Sequence, residues 1–463
     1  MEDPLCFRVG RDELEGRADP YYYDPSFRRA TAVLVAAVPN LSTVGEICAE
    51  IVHPAEFPRR YSRAHEGFAF VRAGNVREGY LDLDNVKYVS KDTLSGHPQS
   101  LLRDGDVLVI RTGARAGDVA MFAGTDGPYY ASSHTLVLRC RDDINPRYLE
   151  QFLLSSFGRE QIRRRLTGAA QKQLQKPSVA SILVALPPRS VQDYVADAAS
   201  AGQARRQSLE SEAERLLASV DTYLLDQIGG NWGADPPSAG QIARPAVFTV
   251  WRREVNRLDP KLYRWQASTV QSEGLRPLAD LVTPRREKVD RSLYSFEALQ
   301  LVTLHFDGTV EARDIPLWRT EVKGALYFAH PSDLIYSKID ARNGAIAVVP
   351  PNLGKVAVTT EYPVYRVKRG ILLPEYLTLV LRCSRFQAML RALASGHSGR
   401  KRIYPDVVEG IHIPVPAKGE QRAIVDEVER RREVAADLVR QAAESLHEAK
   451  AQVERAILGE LEM

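Results

Sequence analysis

The sequence predicts an α+β protein with two homologous, strand-rich domains in a pseudo-twofold arrangement, separated by a long antiparallel two-helix coiled coil. Three observations support this fold: an internal repeat, the same order of strands and helices in both copies, and a long helix with an apolar seam at the end of each copy. A period of about 230 residues leaves each copy long enough to bury its own core, so the repeat is a duplicated domain.

The repeat is clearest where residues 106–120 align with residues 333–347, with five identities in fifteen positions. Asp106, Ala114-Arg115 and Gly117 recur as Asp333, Ala341-Arg342 and Gly344. Further matches follow in the same order at nearly the same offset: Pro146 with Pro374, Gly168 with Gly396, Pro177 with Pro405, Pro188 with Pro416 and Gln192 with Gln421. A duplication with small loop insertions produces this pattern.

Each copy begins with short apolar segments separated by Gly and Asp turns, which predict strands. These segments are residues 68–71, 105–110, 299–302 and 333–336. A helix is predicted to begin near Pro146 and near Pro374, because proline suits the first turn of a helix. A short apolar strand then ends at Leu186-Pro187-Pro188 in copy one and at Ile413 to Pro416 in copy two.

The long closing helices are predicted at about 189–228 and 418–461, each roughly 60 Å long at 1.5 Å per residue. Apolar residues repeat every three or four positions along both, which indicates a narrow seam for coiled-coil pairing. We expect the two helices to pair antiparallel. The alternative is that each helix packs on its own domain. Gly229 to Ser238 is typical of a helix stop followed by a linker.

Composition indicates a globular cytoplasmic protein. The 463 residues are 44% hydrophobic and 26% charged, and no apolar run approaches the roughly 20 residues of a membrane span. Cys6, Cys48, Cys140 and Cys383 are scattered, which predicts reduced thiols and no metal site. The net charge of +3 divides unevenly, since the predicted long helices are acidic and the remainder carries the basic surplus that could contact phosphates.

These features together resemble the specificity (S) subunit of type I restriction-modification systems. The resemblance rests on motifs that occur in each half: an Asp-Pro opening (Asp19-Pro20, Asp259-Pro260), a Gly-Asp-Val-Leu type strand, and a Pro-x-Tyr-Leu helix. It continues with the Gly168 to Gln171 loop, the apolar Pro-Pro strand and the Gln-initiated long helix. The match extends over nearly the whole chain in the duplicated order.

The resemblance implies a DNA-recognition subunit with no chemistry and no cofactor of its own. It implies target-recognition domain 1 at 1–188, spacer helix 1 at 189–228, a linker with target-recognition domain 2 at 229–416, and spacer helix 2 at 417–463. The expected partners are double-stranded DNA, two methyltransferase subunits that would bind S-adenosylmethionine, and ATP-dependent restriction subunits where the system cuts DNA. The target would be bipartite.

Candidate DNA contacts are loop residues of the types that favour bases or phosphates, Arg for guanine, Asn or Gln for adenine, and Lys, Ser or Thr for phosphates. In copy one they are Arg59, Arg60, Arg63, Arg72, Asn75, Arg111, Thr112, Arg115, Ser133, His134, Gln171 and Lys172. In copy two they are Arg285, Arg286, Lys288, Lys338, Arg342, Asn343, Ser398, Arg400, Lys401 and Arg402. A loop arginine can instead pair with a carboxylate or stabilise a turn.

Two other functions are weighed. A stand-alone magnesium nuclease could use Asp314, Glu321 and Asp333, with Lys323 two residues after Glu321, although copy one offers no counterpart. A protein scaffold that does not recognise DNA would use only the long helices. Motifs for nucleotide hydrolysis or a catalytic triad are not identifiable. The two target-recognition loops differ, since Ser337 to Asp340 replaces Ile110 to Gly113, so we expect the domains to recognise different bases.

Overall fold

The fold is known from a computed structural model that describes residues 9, 20–25, 28–124, 127–168, 171–228, 274–294, 298–313, 324–394 and 402–461. The chain divides into two compact units, Met1–Glu210 with Val439–Met463, and Ser211–Leu438. Both divisions fall inside the long helices, so each unit contains part of each of them. The predicted α+β class is confirmed. No helix in the described ranges has both the length and the hydropathy of a membrane span.

Unit 1 is built from short strands and helices that end in the first long helix. Its strands are β1 (Leu41–Thr43), β2 (Cys48–Val52), β3 (Tyr61–Ser62), β4 (Gly67–Val71), β5 (Val76–Arg77), β6 (Tyr80–Leu81), β7 (Lys87–Ser90), β8 (Val107–Ile110), β9 (Val119–Met121), β10 (Tyr129–Ala131), β11 (Thr135–Cys140) and β12 (Leu183–Ala185). Its helices are α1 (Arg29–Ala37), α2 (Val44–Ile47), α3 (Lys91–Ser95), α4 (Pro146–Leu154), α5 (Ser156–Arg165), α6 (Lys176–Ala180) and α7 (Arg189–Gln227), which continues into unit 2.

Unit 2 repeats most of this order. Its strands are β13 (Leu275–Pro277), β14 (Val282–Pro284), β15 (Val302–Leu304), β16 (Val310–Ala312), β17 (Leu326–Ala329), β18 (Asp333–Tyr336), β19 (Ile346–Val348), β20 (Val356–Thr359), β21 (Val364–Val367) and β22 (His412–Pro414). Its helices are α8 (Leu278–Leu281), α9 (Pro374–Arg382), α10 (Ser384–Leu393), α11 (Pro405–Glu409) and α12 (Lys418–Ile457), which continues into unit 1.

The sheets confirm that the two units are homologous. The main sheet has the order β2-β11-β8-β9 in unit 1 and β14-β21-β18-β19 in unit 2, and all neighbours are antiparallel. A two-stranded sheet accompanies each, β1-β12 and β13-β22. Unit 1 adds a sheet in which β10 pairs parallel with β4. At the equivalent place in unit 2, Leu301 forms a single parallel bridge with Ala357.

The strand predicted at 299–302 therefore differs from the observed element. Only Val302 of that segment lies in β15, and residues 299–301 run as irregular chain before it. Leu299 and Leu301 are nevertheless buried, in a small cluster with Phe328 and Ala357. Their apolar character reflects this packing, and a short buried segment cannot be assigned to a strand by composition alone. The linker at 229–238 and the Asp259-Pro260 motif lie outside the described residues.

The core of each unit lies between the main sheet and the Pro-initiated helices. In α4, Tyr148, Leu149 and Phe152 are fully buried, and in α9 the equivalent Tyr376, Leu377 and Val380 are buried. The Tyr148 hydroxyl donates to the Ala185 carbonyl at 2.7 Å, and the Tyr376 hydroxyl donates to the Pro414 carbonyl at 3.2 Å. The tyrosine of the repeated Pro-x-Tyr-Leu motif thus joins the Pro-initiated helix to the following apolar strand by a hydrogen bond.

The repeated glutamines have an equally plain role. Gln192, which is 2% exposed, accepts from the Asn145 N–H at 2.9 Å and donates to the Pro187 carbonyl at 3.0 Å. Gln421 is fully buried, accepts from the Leu373 N–H at 2.9 Å and donates to the Pro416 carbonyl at 2.8 Å. Each glutamine therefore joins the start of a long helix to the chain just before the Pro-initiated helix.

The long helices pair antiparallel within each unit. In unit 1, Gly202 of α7 meets Ala449 of α12, and Val195 shares a core with Val453 and Ile457. Contacts nearer the N-terminus of α7 thus lie nearer the C-terminus of α12, so the two helices run antiparallel. The close contact requires glycine, because a Cβ atom on Gly202 would lie 2.4 Å from the Ala449 Cβ.

In unit 2, the Arg431 Nη1 donates to the Ser219 Oγ at 2.9 Å, and its guanidinium lies 4.3 Å from the Tyr223 ring centre. Leu224 then shares a core with Val425 and Val428. The order is again antiparallel, as predicted. Each helix also packs on the unit of its own repeat, since Val195 and Val428 belong to the same clusters as the Pro-initiated helices. Both predicted arrangements therefore occur together: the long helices pair with each other, and each also packs on its own repeat.

Candidate nucleic-acid interface

Several candidate residues of copy one meet at the carboxyl end of β8. We call residues 111–113, 133–134 and 171–173 the β8 rim. The Arg111 N–H donates to the His134 carbonyl at 2.8 Å, and the Gly113 N–H donates to the Lys172 carbonyl at 3.1 Å. The Thr112 Oγ1 lies 2.8 Å from the His134 Nδ1. Three segments that are distant in sequence thus form one surface.

The side chains of the β8 rim are partly available. His134, Gln171 and Lys172 are exposed, whereas the Ser133 side chain is 5% exposed and only its carbonyl acts in the rim, as acceptor for the His53 Nε2 at 3.0 Å. The Arg111 Nε is buried and has no hydrogen-bond partner among the described residues, as is also true of the Arg72 Nε.

The loop of this rim depends on one glycine. Gly168 has a φ of +96°, and a Cβ atom there would lie 2.3 Å from the Gln171 carbonyl oxygen. Thr167 and Gln173 then exchange backbone hydrogen bonds at 2.9 and 2.7 Å. This tight closure places Gln171 and Lys172 at the tip of the loop, where they are exposed.

Unit 2 has an equivalent surface at the end of β18, formed by Lys338, Thr360, Glu361 and Arg402, which we call the β18 rim. The Lys338 N–H donates to the Glu361 carbonyl at 3.0 Å, and the Ile403 N–H donates to the Lys338 carbonyl at 2.7 Å. In unit 1, Arg111 makes the same two kinds of bond with His134 and Leu174. Arg111 and Lys338 therefore occupy equivalent positions in both units.

The chemistry of the two rims differs. In the β18 rim the Lys338 Nζ donates to the Thr360 carbonyl at 2.7 Å, and the Arg402 Nη1 lies 3.3 Å from the Glu361 carboxylate. The Glu361 carboxylate thus partly neutralises the Arg402 cation in the β18 rim. The β8 rim has His134 at the position of Glu361. Ser398, Arg400 and Lys401, the other candidates of this loop, lie outside the described residues.

Three other candidates lie in hydrogen-bonded turns. Asn75 is 1% exposed, accepts from the Arg72 N–H at 3.0 Å and donates to the Asp82 carbonyl at 3.0 Å, so its amide stabilises a turn. Arg72 is half-buried in that same turn. Arg115 pairs with Asp118 at 2.7 Å.

Arg285 has the strongest protein partner among the candidates. It is 14% exposed and forms a two-point ion pair with Asp333, Nε to Oδ2 at 2.6 Å and Nη2 to Oδ1 at 3.1 Å. In unit 1 the equivalent Asp106 pairs with Arg139 at 3.1 Å. Burial raises the pKa of Asp106, and Arg139 opposes that rise. Sequence reasoning missed Arg139, because its spacing from Asp106 carries no signal until β8 and β11 pair.

The remaining candidates lie on turns and outer strands. Arg342 is half-buried and Asn343 is exposed in one short 3₁₀ turn, where the Asn343 Nδ2 lies 3.4 Å from the Asp340 Oδ1. Arg286 and Lys288 are exposed after β14. Arg59, Arg60 and Arg63 are exposed beside β3, with the Arg59 guanidinium 5.6 Å from the Phe70 ring centre and Tyr61 55% exposed between them.

Parts of the chain are similar in sequence to two curated proteins. No family model matches the chain. Over 148 residues, 31% of this chain, it is 28% identical to the type I restriction enzyme EcoEI specificity subunit of Escherichia coli. Over 95 residues, 20% of this chain, it is 30% identical to the type I restriction enzyme HindI specificity subunit of Haemophilus influenzae. The resemblance predicted from the repeated motifs is confirmed. The matched parts span 25% and 21% of those relatives' lengths.

The fold has a counterpart among solved structures. A chain from a study of the complex assembly and conformational transition of the type I R-M system is similar with a TM-score of 0.54 and 17% identity. The similarity covers 92% of this chain and 99% of that one. At this identity it establishes the fold alone. The similarity covers a larger share of this chain than either curated relative does.

Proposed function

We propose that this chain is the sequence-specific DNA-recognition subunit of a type I restriction-modification complex. The observation that carries the proposal is the pair of equivalent rims, one per unit, each built on the same strand end with different side chains. Equivalent position gives each unit the same way of approaching a duplex, and different side chains give each its own block of bases. The target would then be bipartite and asymmetric.

The β8 rim has the groups that sequence recognition needs. Gln171 offers an amide that suits adenine, and Lys172 offers a cation for phosphate. In the β18 rim, Glu361 can accept from the amino group of cytosine, and Arg402 can contact guanine or phosphate. The two blocks would accordingly differ in composition.

We propose that catalysis resides in partner chains. The partners would be two methyltransferase subunits, which would bind S-adenosylmethionine, and restriction subunits where the system cuts DNA. The long helices would dock the methyltransferases and set the gap between the two blocks. The names of the curated relatives, specificity subunits of restriction enzymes, support this division of roles.

The nuclease alternative is not favoured. Asp333 is buried at 2% exposure and is occupied by the Arg285 guanidinium and the His330 N–H, the latter at 2.8 Å. Asp314, Glu321 and Lys323 lie outside the described residues. Across the residues that the structure describes, no group of three or more His, Cys, Asp or Glu side chains could hold a metal ion.

The experiment is a reconstitution with purified components. Alone, the chain should neither cut nor methylate duplex DNA in the presence of magnesium and S-adenosylmethionine. With its methyltransferase it should methylate a discrete two-block site, and binding should weaken steeply as salt rises. Equal binding to scrambled duplexes with little salt dependence would favour the scaffold function instead. Cleavage by the chain alone would favour the nuclease.

A further inference from the structure

Unit 1 contains a large cavity between the β5–β6 hairpin, β9, α4 and the paired parts of α7 and α12. Its volume is about 680 Å³, within the range of roughly 300 to 1,000 Å³ that ligand sites occupy. Among the described residues that line it are five cations, Arg77, Arg115, Arg147, Arg206 and Lys450, and one carboxylate, Glu78. The proposed function assigns no role to this space.

The arginines keep donors free for a ligand. Arg115 and Arg147 pair at 2.7 Å with Asp118 and Glu150, and Arg206 pairs at 3.0 Å with Glu210. These carboxylates do not line the cavity. Each guanidinium has five N–H donors in a planar fork, and the pairs use only one or two of them.

Lys450 has the weakest compensation. Its Nζ lies 3.7 Å from the Glu78 Oε1, and the Arg159 guanidinium contacts the same oxygen. The Glu78 carboxylate thus partly neutralises two cations, Lys450 and Arg159. Burial lowers the pKa of Lys450, and the nearby Arg159 and Arg206 charges lower it further, while Glu454 opposes the shift. An additional anion in the cavity would relieve this repulsion.

We propose that this cavity binds a phosphate group carried by a nucleotide, with Lys450 and Arg206 as its principal ligands and Arg115 and Arg147 as further donors. Several guanidinium groups around one space suit the several oxygens of a phosphate better than a single carboxylate. Tyr80, 39% exposed in the lining, offers a ring for base stacking. The phosphate comes either from a free nucleotide or from the DNA backbone, and the second source rests on the proposed function.

Continuity with the β8 rim makes the backbone source concrete. Arg115 lines the cavity and belongs to the same turn, between β8 and β9, as Thr112 and Gly113 of the rim. A duplex held at the rim would carry its backbone past this turn. A phosphate contact here would position the duplex and carry no sequence information.

The test uses the full chain and three variants, Lys450→Met, Glu78→Gln and, as the control, Lys418→Met, which removes an exposed cation outside the cavity. The probes are ATP without metal and a short duplex of scrambled sequence. Lys450→Met should weaken binding of one probe about tenfold, as loss of a charge-assisted contact does. Glu78→Gln should strengthen binding of that probe, because it releases two cations. Lys418→Met should change neither.

The probe that responds identifies the source of the phosphate. If the duplex responds, Lys450→Met should also reduce the salt dependence by about one contact while leaving sequence preference unchanged. If neither probe responds to Lys450→Met or Glu78→Gln, the inference is wrong, and so it is if Lys450→Met only abolishes capture of the methyltransferase. The proposed function fails separately, through loss of any two-block preference in the unaltered chain.

Discussion

At the residue scale, the duplication preserved side chains for two different reasons. Gln192 and Gln421 are identical because both close the same buried hydrogen bonds at the start of a long helix. Arg111 and Lys338 keep equivalent backbone bonds but differ in side chain, and the Lys338 Nζ donates to the Thr360 carbonyl. Identity at Gln192 and Gln421 therefore reflects a shared structural role, whereas the difference at Arg111 and Lys338 lies on the two candidate recognition surfaces.

Replacing Gln192 by leucine should destabilise unit 1. The Asn145 N–H and the Pro187 carbonyl would lose their partner in a buried place, so we expect the free energy of unfolding to fall by about 2 kcal/mol. Chemical denaturation monitored by circular dichroism measures this loss. Gln99→Leu, at an exposed position, is the matched control and should have little effect. Equal stability of the two variants would contradict the structural role given to Gln192.

At the element scale, the two long helices run through both units and pair antiparallel within each. Their apolar spacing predicted the pairing, and the contact of Gly202 with Ala449 shows how closely the backbones approach in unit 1. In unit 2 a polar contact joins the helices, with Arg431 bonded to Ser219 and lying over the Tyr223 ring. The seam therefore combines a close contact of small residues in unit 1 with a polar contact in unit 2.

Gly202→Ala should destabilise the chain, although glycine to alanine usually stabilises a helix by up to about 1 kcal/mol. The added Cβ would overlap the Ala449 Cβ, so we expect a loss of roughly 1 to 3 kcal/mol. The double variant Gly202→Ala with Ala449→Gly should recover most of the loss. Gly419→Ala, with nothing within 4 Å of its Cβ position, should be neutral or stabilising. Thermal unfolding of the four proteins checks the ranking.

Acid should weaken the helix pair of unit 2 through Glu427. The Arg430 and Arg431 guanidinium groups lower the pKa of Glu427 to about 2 from an ordinary value of 4.5. The carboxylate therefore contributes its full stability above pH 4.5 and loses it as the pH falls through 2. At neutral pH, Glu427→Gln should unfold at a lower denaturant concentration than the unaltered chain. The difference between the two midpoints should shrink in acid. Glu429→Gln, which removes a carboxylate paired with Arg432 alone, is the control on the same helix.

The sequence predicted elements better than contacts. The long helices, the Pro-initiated helices and the strands at 107–110 and 333–336 follow from local periodicity and turn residues. Arg139 with Asp106, and the parallel pairing of β4 with β10, could not be predicted, because each depends on strands that meet only after folding. For the same reason the ion pair of Arg285 with Asp333, 48 residues away, could not be predicted.

At the scale of the whole molecule, each unit is completed by a helix from the other repeat. The Ser156 N–H, at the start of α5, donates to the Glu454 carboxylate of α12 at 2.6 Å. The Ser384 N–H, at the start of α10, donates to the Asp221 carboxylate of α7 at 2.8 Å. A negative charge at a helix N-terminus is stabilising. The last turns of α12 therefore belong to the core of unit 1.

A polar residue near the C-terminus should accordingly damage unit 1. Val453, 5% exposed, lies in the same cluster as Tyr148 and Val195, so Val453→Asp should destabilise that unit by roughly 3 kcal/mol. Hydrogen exchange should quicken in α4 and α5 and remain unchanged in α9 and α10. Val439→Asp, on the same helix but 51% exposed, is the matched control. Faster exchange confined to unit 2 would contradict this assignment.

The central claim is that each unit recognises its own block of one DNA target. The most direct measurement is a map of methylated adenines in a genome that expresses the partner methyltransferase with the unaltered chain, with His134→Ala or with Lys338→Met. We predict a two-block motif for the unaltered chain, a change in one block only for His134→Ala, and a change in the other only for Lys338→Met. A motif that keeps both blocks in both variants, or loses both together, would contradict the account.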